Sequence, residues 1–198
     1  MNDRSHLTVL AEDYQDAANR ATEIFDQHLP SNPMDWTPEA LLEATRTVAN
    51  SLEAISYYDG IKVVLQNDIL KGSMGILGDV PSAGMLGDAL GCAIIVNDAF
   101  LTMSKELQEA LLAHEAAHHS HGDIAKIVEM GQETYTQHCL EGTGAGFEME
   151  LAADASSKAR GLPIKAALEH LLQKIIDLDA VEFMGQAMES LKVRIKAL

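Results

Sequence analysis

The run Leu111, Leu112, Ala113, His114, Glu115, Ala116, Ala117, His118 constrains this chain more than any other. His114 and His118 are four apart, so on a helix they share one face, with Cβ atoms roughly 6 Å apart. Two imidazole nitrogens so placed can converge on one ion at about 2.1 Å each. Leu107, Leu111 and the alanines carry the apolar spacing of a buried helix, and Ser104 is a good residue to cap its start. Most histidines are surface or packed residues and not ligands. Inside an apolar helix, however, they need partners, because burying an unpaired polar group costs roughly 2–7 kcal/mol. Glu115 stands beside them on the rim, where its carboxylate can take a proton from water.

A third ligand must come from elsewhere. A histidine further along the same helix, in the spacing H-E-x-x-H-x-x-G-x-x-H, needs Gly at 121 and His at 124, where the chain has His121 and Ile124. His121 lies about 10.5 Å along a helix axis from His114, too far to share an ion. The other solution places a glutamate on a second helix, and Glu150 opens the run Glu150, Leu151, Ala152, Ala153, Asp154. Asp154, one turn later, can accept the N–H of a ligand histidine. At these two motifs, HEAAHHSHGD from His114 to Asp123 and E-x-x-A-D from Glu150 to Asp154, the chain resembles the gluzincin metallopeptidases that include the CAAX prenyl endopeptidases and membrane-bound heat-shock metallopeptidases. The resemblance runs from about residue 60 to about residue 172 and is specific at both motifs.

That resemblance implies an α+β, zincin-like fold with a small sheet, an active-site helix and added helices at both ends. It implies zinc on His114, His118 and Glu150, with Glu115 as general base for a peptide or protein substrate. Asp154 then orients a ligand histidine, and the stretch Ser82 to Met85 pairs with an extended substrate. Relatives carry a further donor to the tetrahedral oxyanion in a C-terminal motif without a counterpart here; Tyr135, His138 and His170 are the candidates for that role. The alternative is a latent or non-catalytic zinc-binding relative that works through its terminal helices.

Net charge is −16, which opposes nucleic acid, whose phosphates need clustered Lys and Arg, and an anionic membrane surface. A solvated acidic surface explains the charge without a basic substrate. No run of about 20 apolar residues occurs, and residues 1–6 lack the start of a signal peptide, so a cytoplasmic protein with no membrane span is expected. Cys92 and Cys139 have no framework spacing and read as free thiols.

Along the chain, Leu10, Tyr14, Ala17, Ala21, Ile24 and His28 recur at helical spacing. Three prolines between 29 and 38 end that helix; Thr37 and Pro38 then start a second, with a stripe of Leu41, Thr45, Val48, Leu52 and Ile55. Residues 1–58 are therefore expected to form a helical hairpin and residues 59–198 the metal-binding domain. Scaffold packing is the simpler role for the hairpin, and self-association into a homo-oligomer the sharper one. Ile61–Leu65 reads as a strand, and the six glycines from Gly72 to Gly91 as loops around short edge strands. One helix is expected from Asp123 to about Cys139, then a mobile loop over residues 141–146. Helices follow at Glu150, at Ile164–Ile175, and through Met184, Met188, Leu191 and Ile195. This last helix, from about Val181, is expected either to close the core or to lie over the cleft as a restraint.

Overall fold

In the computed structural model, residues 23–31, 35–51, 54–65, 83–86, 93–178 and 181–198 are described. The sheet begins at Asp59 and Gly60, which both take positive φ, 50° and 81°. Those angles suit the tight turn whose twist matches paired strands. The turn joins β1 (Ser56–Tyr58) to β2 (Ile61–Leu65) in an antiparallel hairpin. β3 (Ala83–Leu86) and β4 (Ala93–Val96) complete a four-stranded sheet in the order β1-β2-β4-β3. β2 runs parallel to β4, and β3 pairs antiparallel with β4 and lies at the edge.

Alternation along the strands separates two faces. Val63, Leu65, Ile94 and Val96 face the main core, with Phe100, Leu111 and Leu168. Val64, Ala93 and Ile95 face the other way and meet Val48 and Ala49 of α1 (Pro38–Ser51), with Ile24 and Phe25 at their margin. The first helix of the expected hairpin lies outside the described residues except for a helical segment over 23–28. Ser82, Cys92 and most of the glycine-rich stretch also lie outside them.

After β4 come α2 (Asp98–Leu101), capped by Asn97 on the Phe100 N–H, and α3 (Lys105–His121), which carries the motif. Ser104 occupies the N-cap position of α3 without a capping side-chain bond. Gly122, at φ 66°, ends it in the left-handed conformation. The expected single helix from Asp123 to Cys139 is two, α4 (Asp123–Met130) and α5 (Gln132–Glu141). Gly131 breaks them apart at φ 90°, ψ 134°, a backbone state closed to most other residues. α6 (Gly144–Ala159), α7 (Ile164–Asp177) and α8 (Val181–Ala197) follow. The chain is α+β, mostly helical around a small sheet. Among the described residues no helix is long and apolar enough to cross a membrane.

Candidate metal centre

α3 and α6 pack along each other, and small residues let them come close. Ala110, Ala113 and Ala117 on α3, and Ala153 and Ser157 on α6, are almost wholly buried. The Ser157 hydroxyl donates to the Ala110 carbonyl at 2.9 Å, tying the two backbones together. That approach brings Glu150 to the histidine face of α3. His114 Nε2 and His118 Nε2 are 3.1 Å apart; Glu150 Oε2 is 3.4 Å from the first and Oε1 3.3 Å from the second. An ion bound tetrahedrally at about 2.1 Å needs donors about 3.4 Å from one another. The separations are close to that spacing, with a different Glu150 oxygen toward each histidine, and this group could hold a metal ion.

Each of the two histidines is backed by a carboxylate. His118 Nδ1 donates to Asp123 Oδ2 at 2.9 Å, and Lys126 holds the other Asp123 oxygen at 2.7 Å. His114 Nδ1 is 2.9 Å from Asp154 Oδ1, with its N–H off the line of a hydrogen bond, so charge and proximity carry that contact. Both Nδ1 atoms are thereby occupied and both Nε2 atoms are turned inward, the arrangement that fixes a ligand tautomer.

Arg194 of α8 completes the shell. It binds Asp154 through two N–H groups, each at 2.7 Å, and reaches Glu150 Oε2 at 2.8 Å. Tyr135 of α5 donates a hydrogen bond to Glu150 Oε1. Burial alone favours the neutral form of Glu150; the Arg194 charge and the two imidazoles outweigh it and hold its carboxyl well below the usual range. Asp154 is lowered the same way, burial being overcome by Arg194 and His114. Burial also opposes charge on His118, yet Asp123 and Glu150 push its pKa up to about 10; His114 is raised by Asp154 and Glu150 against the same penalty. A cation bound between the imidazoles would have to displace those protons, so its affinity would fall as pH falls.

Glu115 differs from its neighbours. It is 7% exposed, and burial raises its pKa, only partly offset by His114 and His118. Its Oε1 is 4.0 Å from His114 Nε2, at the edge of the ligand group and not within it. It lines a cavity of about 510 Å³ together with the ligands, Tyr135, Arg194, the β3 residues Ala83, Gly84 and Met85, and aliphatic side chains of α4.

Of the three candidate oxyanion donors, only Tyr135 lines this cavity. His138 instead accepts the Gly146 N–H on Nδ1 at 3.3 Å, beneath the start of α6. His170, on α7, has a buried Nε2 without a hydrogen-bond partner and does not line the cavity. His121 stays out of the ligand group, 3.5 Å from the Ser156 hydroxyl. Cys139 is a free thiol, pushed up to about 11 by burial and by Glu150. Two contributors have no role in the motif reading. Asp123 carried a signal, as the first residue beyond the glycine that ends the motif helix. Arg194 carried none, since it is 40 residues from Asp154 and its helix end explains a basic residue without a site.

Comparison of the chain with protein-family models, with curated proteins and with solved structures finds no match.

Proposed function

We propose that this chain is a zinc-dependent metallopeptidase of the gluzincin type. The observation that carries the proposal is the convergence of His114 Nε2, His118 Nε2 and Glu150 at 3.1–3.4 Å, with each Nδ1 turned to a carboxylate. Two imidazoles and one carboxylate form a donor set that suits zinc, and three protein ligands leave a coordination position open. Zinc held there supplies Lewis acidity, polarising a carbonyl and acidifying water.

The remaining work belongs to the chain's own side chains. Glu115, buried beside the ligands and outside their group, is placed to accept a proton and return it to the leaving amine. Tyr135 lines the cavity with its hydroxyl donating to Glu150, and on turning from that carboxylate it would supply a donor to a developing oxyanion. Arg194 keeps Glu150 and Asp154 ionised and in place, so it positions ligands. β3, an edge strand with its pairing to β4 on one side only, offers backbone groups to an extended substrate.

The test is cleavage of a peptide library by the zinc-loaded protein and by Glu115→Gln, with metal content measured in both. The substitution keeps shape and charge-free volume, so zinc should stay while turnover falls by about 10²–10⁴. Full turnover in the metal-loaded variant contradicts the proposal. Absence of cleavage by the parent protein at full zinc loading leaves a metal-holding, non-catalytic protein as the surviving reading.

A further inference from the structure

We infer that the first half of α1 is a self-made strap across the cleft, and that a chain can reach β3 only when this strap swings away. The inference takes the cleft as the substrate site proposed above and concerns how access to it is controlled.

α1 packs against two elements that bound the cleft, β3 and α4. Trp36, Leu41 and Thr45, on or just before its first two turns, line the same cavity as His114, Glu115 and Glu150. Trp36 and Leu41 thus put apolar surface on the same cavity that β3 lines with Ala83, Gly84 and Met85. Its second half does something else: Val48 and Ala49 are 0% exposed and pack on the outer face of the sheet.

The two halves are held very differently. In the first half Ala44 is 0% exposed and is the one fully buried side chain, whereas Leu41 and Thr45 are only half-buried and Trp36 is 41% exposed. Apolar contact scales with area removed from water, so the cleft half is the weaker attachment. Two side-chain back-bonds lie where the halves meet. The Thr45 hydroxyl bonds back to the Leu41 carbonyl at 2.7 Å, and the Thr47 hydroxyl to the Glu43 carbonyl at 2.8 Å. Such back-bonds to the fourth residue before weaken and bend helices. An anchored half, a loosely seated half and a weakened turn between them make a strap that can release without unfolding the sheet.

Hydroxyl-radical footprinting of the metal-free protein tests this without reference to catalysis. Met85 of β3 and Tyr135 of α5 report on the cleft, and Met103, 6% exposed and outside the cavity, reports on the core. Leu41→Glu seats a charge in an apolar contact and should free the strap. Oxidation of Met85 and Tyr135 should rise several-fold while Met103 stays at the parent rate. Unchanged rates at Met85 and Tyr135 in a variant with a protected Met103 overturn the inference. Should Met103 also become reactive, the milder Leu41→Ala is read by the same criterion, and no rise there overturns it equally. Peptide cleavage by the zinc-loaded variants, run alongside, separates the two ideas: more labelling without cleavage by any variant removes the peptidase and leaves the strap.

Discussion

Asp154 has no exposed surface, and all of its charge is answered by Arg194 and His114. Removing one member of such a buried pair leaves the other uncompensated, typically at about 3–5 kcal/mol. Arg194→Met should therefore lower the stability of the metal-free protein by about that amount in denaturant titrations. A bound cation answers the same carboxylates, so added zinc should stabilise this variant more than the parent. Equal stabilisation of both would show that Arg194 does not act on the ligand group. Asp154→Ala should weaken zinc binding by about 10–100-fold without abolishing it, measured against a competing chelator. At this scale spacing made the pairs His114–His118 and Glu150–Asp154 legible, and the resemblance brought the two pairs together, as they are here. Arg194 was not, because no local pattern marks a side chain that joins a site through tertiary packing alone.

Glycines taught the most among the secondary-structure elements. Residues 141–146 read as a mobile loop, but the turn is short and α6 begins at Gly144. The glycines there serve close packing. A Cβ at Gly144 would lie 2.6 Å from the His138 ring, and one at Gly146 would lie 2.9 Å from the Tyr135 ring and 3.2 Å from the Tyr135 carbonyl oxygen. This closeness of α5 to α6 is what sets Tyr135 on Glu150. Gly146→Ala should accordingly cost about 1–3 kcal/mol from overpacking and displace Tyr135. If Tyr135 contributes to turnover, zinc-loaded Gly146→Ala should lose rate with its metal retained; retention of both the parent stability and the parent rate would remove the packing argument. The break at Gly131 was missed for the opposite reason: one glycine inside a helical pattern is usually tolerated. β1 was missed despite a signal, the Asp59-Gly60 pair that favours a tight hairpin turn.

Over the whole molecule, the helix expected to close either the core or the cleft does the former. Leu191, Ile195 and Leu198 pack against the main core, and Met184 joins the cluster of Ile175 and Met188. α8 also delivers Arg194 to the ligands. Removing residues 181–198 should thus produce unfolding or aggregation, seen as loss of a cooperative thermal transition, with no gain in cleavage; a folded, more active product would reverse this assignment. α8 also lines the cleft with Arg194, while α1 lines it with Leu41 and Thr45 and packs on the outer face of the sheet. The α+β class and the meeting of Glu150 with the two histidines were legible through the family resemblance, and the motif helix through its apolar periodicity. Which terminal helix faces the cleft depends on long-range packing, which periodicity does not encode. The most direct measurement is zinc K-edge X-ray absorption on the protein reconstituted with one equivalent of zinc, beside His118→Ala. Nitrogen and oxygen ligands alone at about 2.0–2.1 Å, with the scattering of two imidazoles reduced to one or lost in the variant, are the predicted result. A sulfur ligand at about 2.3 Å, or the same spectrum and zinc content in His118→Ala, would contradict the centre formed by His114, His118 and Glu150.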